Sequence, residues 1–222
     1  MTEPRERTAI TRLKAKGSPD RAALDALLDS VHVGHFGLCG PDGLPVVIPT
    51  AVVRDGDRVL AHGSTGSPWI GALAAGAPTC LAVTSFDGLV LARSAFESSI
   101  HYRSAVLFGT CSPLDATAKL RALDLITEAL VPGRVAEIRR PEERELAATL
   151  VLALPIEEWS LKISDGWPDD PPADVAGDAW AGVLPLATSY GLAVPAPDLR
   201  AGVDVPRSVL RLAASDLGPG AP

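Results

Sequence analysis

The chain is short of cysteine, aromatic residues and positive charge, and each shortage excludes something. Its three cysteines, Cys39, Cys80 and Cys111, are odd in number, far apart and without Cys-x-x-Cys spacing, so neither a zinc ribbon nor a thioredoxin-like centre is encoded. They read as small buried hydrophobes in strands. Twenty Lys and Arg against twenty-seven Asp and Glu leave a formal charge of −7, which opposes sequence-independent nucleic-acid binding. No apolar run reaches the roughly 18 residues of a membrane span, and no apolar stretch follows the basic start. The expectation is a cytoplasmic protein with neither membrane nor nucleic acid as partner. Gly63, Gly66 and Gly71 lack Rossmann or P-loop spacing. His32 and His35 are three apart on an extended segment and fall on opposite faces, so no metal site is expected. No Ser-His-Asp order and no catalytic carboxylate pair stands out.

What is present suits one domain of many short elements. Of the 222 residues 47% are hydrophobic, enough for a core, and 20 Gly with 20 Pro favour turns over a long helical rod. Residues 1–17 read as an arm or edge strand, 18–190 as the domain and 191–222 as a Pro-rich tail with one helical turn near 209–214. Ser18 and Pro19 predict a helix start, and Ala22, Leu24, Leu27 and Leu28 its apolar stripe. A period of two then predicts strands over 32–38, 44–53 and 58–62, joined by Gly40-Pro41-Asp42-Gly43 and Asp55-Gly56 turns. A short helix at 68–75 precedes strands over 79–84 and 89–93, separated by an Asp87-Gly88 turn, and a strand over 104–110. Ser112-Pro113 predicts a helix with Leu120, Leu123, Ile126 and Leu130 on one face, and a second helix covers 142–149. Late strands follow over 150–154 and 158–163. This spacing favours an antiparallel barrel with peripheral helices over a doubly wound sheet.

Two segments concentrate polar chemistry. His62-Gly63-Ser64-Thr65-Gly66-Ser67 leaves a strand for a helix, as an anion cradle of backbone amides would, or as an ordinary polar loop with a capping serine. Residues 93–104 hold two arginines, four serines, His101 and Tyr102 between apolar strands; they form a polar-ligand site, or an exposed loop and an edge strand with a paired Arg. Lys162 stands alone among apolar neighbours, where it reaches an anion or solvent. Trp180 walls a planar ligand or packs on the barrel. Asp169, Asp170 and Asp174 read as a solvated acidic turn.

The order DGLPVVIPTAVVRDGDRVLAHGSTGS, DGLVLARSAF, HYRSAVLFG, PGR, Lys162 and WAGVLPL resembles the pyridoxamine-phosphate-oxidase-like family, in its flavin-binding branch with the nitroimidazole-resistance proteins. The resemblance covers residues 5–198. It implies a six-stranded antiparallel split β-barrel with Greek-key connections, a homodimer, and FMN in two clefts at the subunit interface. Carried over, it places Val47, Ile48, Pro49 and Thr50 along the isoalloxazine edge and His62, Ser64 and Ser67 at the phosphate. Tyr102, Arg103 and Ser104 lie alongside, with Lys162 and Trp180 approaching from the second subunit. The implied activity is transfer of hydride or electrons from a nicotinamide donor to a small organic acceptor, with His101 or Tyr102 donating a proton. Two departures mark the pocket: Pro68-Trp69 stands where relatives carry a basic residue, and Glu97-Ser98-Ser99 and His101 replace common family residues. A haem in the same barrel, with His101 or His62 as axial ligand, and a non-catalytic flavin-binding or sensing dimer are the alternatives.

Overall fold

A computed structural model describes residues 7–215. The first helix, α1 (Arg21–Ser30), buries Leu24, Leu27 and Leu28. Its cap is Asp20, whose carboxylate accepts the Ala22 N–H at 2.8 Å; Ser18 and Pro19 precede it, and Ala22 points to solvent. A β-meander follows: β1 (Val33–Cys39), β2 (Pro45–Asp55) and β3 (Arg58–Ser64). Then come α2 (Pro68–Ala74), β4 (Pro78–Leu91) and β5 (Ser99–Thr110). Ser112-Pro113 does not cap a helix. It forms the two-residue strand β6, and Asp115 caps α3 (Ala116–Leu130) by accepting the Ala118 N–H.

The chain ends with α4 (Glu143–Ala147), β7 (Thr149–Pro155), β8 (Glu158–Ser164), α5 (Pro172–Val175), β9 (Gly182–Pro185) and α6 (Arg207–Ser215). All strand pairs are antiparallel and run in the order β6-β7-β3-β2-β1-β4-β5-β8, with β9 on β4. Placing β4 beside β1 after the β1–β3 meander is the Greek-key connection. The sheet curls into the split barrel that the sequence predicts, built from nine strands instead of six. Only the short β6 and β9 lie outside the strands marked in the sequence; β8 matches the expected 158–163, and the strands expected over 79–84 and 89–93 are the single strand β4.

The barrel interior holds Phe36, Val52, Val59, Leu81, Leu107, Leu154 and Leu161, packed with Leu24, Leu27 and Leu28 of α1 and Ile70 and Leu73 of α2. A second cluster, with Val53, Leu60, Val151 and Ala153, lies on the outer side of the sheet beneath Ala122 and Ile126 of α3. These two clusters use alternate residues of the same strands, as the pleat requires.

Three further details depart from expectation. Asp87-Gly88 is not a turn: β4 runs through it with a bulge between Phe86 and Gly88. Cys39 is exposed and Cys80 half-buried; Cys111 alone is buried, and burial pushes its thiol up to about 11. The tail is anchored, because Ser208, 3% exposed, gives its N–H and its hydroxyl to the Glu137 carboxylate. Among the described residues no helix is long and apolar enough to cross a membrane.

Candidate functional site

Residues paired directly across an antiparallel sheet share a face, and the register sorts the candidate residues accordingly. Pro49 pairs with His35, His35 with Ala82, Ala82 with Val106, and Ser104 with Lys162. Val47, Pro49, Tyr102, Ser104 and Lys162 therefore lie on the outer face of the barrel. Ile48 and Thr50 pair with Phe36 and Gly34 on the inner side. His62, two residues from Leu60, which pairs with Val53 beneath α3, is also on the outer side. Much of this outer face is uncovered and apolar: Val33 is 52%, Val47 63% and Phe86 45% exposed.

At the β5–β8 end, Lys16 completes a cationic, hydroxyl-rich patch that the sequence does not mark. Gly17 bridges to Lys162, and Lys16 Nζ donates to Ser164 Oγ at 2.9 Å while lying 5.9 Å from the Tyr102 ring centroid. Lys162, beside Ser104, has no acidic partner among the described residues. Such an uncompensated cation fits the phosphate of a nucleotide cofactor.

His101 and Arg103 point the other way. His101 Nε2 meets the Gly166 carbonyl at 2.9 Å. Arg103 donates from Nε and Nη2 to the two Asp87 oxygens, both at 2.9 Å, while Ser85 Oγ donates to Asp87 at 2.5 Å. The Arg103 guanidinium holds the Asp87 carboxyl below its ordinary range. It is thus committed to a structural pair. His101 and Tyr102, as neighbours in a strand, do not converge on one point.

The loop after β3 also spends its donors internally. The Thr65 N–H goes to the Ala148 carbonyl, the Gly66 N–H to Ser64 Oγ and the Ser67 N–H to the Ser64 carbonyl. Three amides that an anion cradle would offer are already satisfied, leaving hydroxyls. Gly63 is required by packing: a Cβ there would stand 2.9 Å from Ile70 Cδ1 and 3.3 Å from the Trp69 ring.

His62 is different in kind. Burial lowers its pKa, so the imidazole is held neutral, and its buried Nδ1 has no hydrogen-bond partner. A neutral imidazole can serve as an iron ligand. Trp180 is 69% exposed and lies over Gly182, where a Cβ would stand 2.8 Å from its ring. Asp170 is no solvated turn residue, since its side chain is 1% exposed and paired with Arg93.

The split barrel is the architecture of a class of flavin-binding proteins. Residues 20–163 match the family model described as pyridoxamine 5'-phosphate oxidase. The chain belongs to this flavin-binding split-barrel family. It is 51% identical to an FAD- and haem-binding protein from Mycobacterium smegmatis, with a TM-score of 0.85 over 89% of this chain and 97% of that one. It is 34% identical to the flavocytochrome Anf3 from Azotobacter vinelandii, with a TM-score of 0.87 over 94% and 97%. A candidate 5-nitroimidazole antibiotic resistance protein from Bacteroides thetaiotaomicron, 18% identical, shares the fold with a TM-score of 0.57 over 66% and 86%. Among curated proteins none matches.

Proposed function

We propose that this chain is a homodimeric redox protein that holds both a flavin and a haem, the flavin being FAD. The observation that carries the reading is the open, apolar outer face that bears the lysine–tyrosine patch and the neutral His62 on different strands. His62 lies on β3, whereas Lys162, Tyr102 and Lys16 gather at the β5–β8 edge, with the exposed apolar strip of Val33, Val47 and Phe86 also on that outer face. A second copy, packed face to face against Val33, Val47 and Phe86, brings its own Lys162 and Trp180 toward the His62 end of the first. The two cofactors named for the Mycobacterium smegmatis protein support FAD with haem over FMN alone.

In this reading the bound cofactors supply the redox chemistry, taking electrons from a nicotinamide donor and passing them to a small organic acceptor. Lys162 and Lys16 neutralise phosphate charge, with Ser104 as a hydroxyl partner. Val47 and Pro49 present the apolar wall of the ring site. His62 supplies a neutral nitrogen to the iron, whereas the Nε2 of His101 is occupied by the Gly166 carbonyl. Tyr102 is the proton donor on the correct face, under the Lys16 ammonium.

An absorbance spectrum of the protein as purified tests the reading, together with its mass in solution. Flavin and Soret bands on a dimer are expected. Lys162→Ala weakens flavin binding by about tenfold or more, the value of one charge-assisted contact of about 1.5–3 kcal/mol. A colourless monomer that takes up neither group on titration overturns it.

A further inference from the structure

On the inner side of β2, opposite Val47 and Pro49, a cleft of about 590 Å³ opens between the β1–β2 hairpin and the start of α2. Leu38, Val46, Ile48, Pro68, Trp69 and Ala72 form its walls, and Cys39 stands at its rim. None of its lining residues is charged. Other clefts of the molecule differ: one is lined by Asp55, Arg58, Arg121, Asp124 and Glu128, another by Asp29, Arg54 and Glu128. The walls are also fixed. Trp69 packs on Phe36 with ring centroids 6.3 Å apart, and the missing side chain of Gly63 leaves room for its indole.

We propose that this cleft is a binding site for a neutral, apolar small molecule. Its volume is that of sites for drug-sized ligands. A charged ligand would lose its hydration there with no counter-charge in the walls, whereas apolar area is buried with gain. Haem does not fit, because no histidine lines the cleft and no cation waits for its propionates. Binding rests on the cleft alone. A role for the ligand as electron acceptor rests on the proposed redox reading, since Ile48 faces the cleft while its neighbours Val47 and Pro49 face the proposed ring site.

The test is titration of the purified protein with a neutral naphthalene dye, 6-propionyl-2-(dimethylamino)naphthalene, followed by its blue shift. The anionic 1-anilinonaphthalene-8-sulfonate serves as the charged control. Saturable binding of the neutral dye is expected, with the sulfonate at least about tenfold weaker. Ala72→Trp fills the cleft and lowers dye affinity about tenfold or more while the melting temperature and any flavin band stay unchanged. Val46→Phe, on the opposite wall, gives the same loss if the first variant does not fold. Undiminished binding in the filled variants or equal binding of the sulfonate overturns the site. Dye binding by a protein that takes up no flavin would leave the cleft standing and remove the redox reading.

Discussion

Arg93 and Asp170, 77 positions apart, form a two-point clasp. The Arg93 backbone N–H donates to Asp170 Oδ1 and its Nη1 to Oδ2, both at 2.9 Å, and the carboxylate is almost wholly enclosed. This clasp, with the His101–Gly166 contact, ties the segment after β8 to the far end of β4 and so delivers Trp180 and β9 to that edge. Removing one partner of a buried pair leaves the other charge uncompensated. Asp170→Ala is expected to cost about 3 kcal/mol, the low end of the range for buried pairs because Arg93 is partly open. Urea unfolding measures this cost. Limited proteolysis near Trp167 should become faster, and an unchanged cleavage pattern would show that the clasp does not hold the segment.

Gly63, near the end of β3, and Gly66, in the loop that follows, sit three apart, yet the structure gives them unlike duties. A Cβ at Gly63 enters the space of Ile70 and Trp69, whereas one at Gly66 meets nothing nearer than 3.7 Å. Gly63→Ala should therefore destabilise by about 1–3 kcal/mol through overpacking against α2. Gly66→Ala should leave both stability and cofactor affinity nearly unchanged. Paired thermal melts and flavin titrations check this. A flavin loss confined to Gly66→Ala would mean that the loop backbone, despite its internal bonds, closes on the cofactor.

Much of the architecture was legible because turn residues and hydrophobic period agree: the β1–β3 meander, α2, α3, β7 and β8 fall within a few residues of expectation. The misreadings share a cause, which is that one residue type serves two physical purposes. Asp87-Gly88 has turn composition, but Asp87 is the partner of Arg103, and Gly88 admits the backbone of β9, whose Leu184 carbonyl would stand 2.7 Å from a Cβ there. Asp170 lies in an acidic stretch, and only the fold reveals Arg93 beside it. Lys16 belongs to a segment with no periodicity, and its place next to Tyr102 follows from the bridge between Gly17 and Lys162. The family resemblance carried the barrel; it carried no sign that Arg103 is already paired with Asp87.

The Asp87–Arg103 pair gives the fold an acid limit. Because the folded carboxyl titrates below its ordinary value near 3.8, its stabilisation is fully present above that pH and is lost as pH falls through the lower folded value. Both side chains are about a third exposed, so the effect is modest and screened by salt. Asp87→Asn should flatten the fall of melting temperature below about pH 4 and lower stability at neutral pH. If the variant keeps the acid slope of the parent, other carboxylates set it.

His62 shapes the next pH range up, with the opposite chemistry and the same sign. Burial disfavours its imidazolium, so the folded pKa lies below the ordinary 6.5. The unfolded chain takes up the proton first, and stability present above about pH 6.5 is lost as pH falls toward the folded value. His62→Leu, similar in bulk and unable to titrate, should flatten the fall of melting temperature as pH drops below about 6.5. In the proposed redox reading the same substitution removes the iron ligand, so the Soret band should vanish on haem addition while His101→Ala retains it. The two readouts separate cleanly. A flattened pH profile with an intact Soret band would keep His62 as a buried neutral imidazole and assign the iron to another residue.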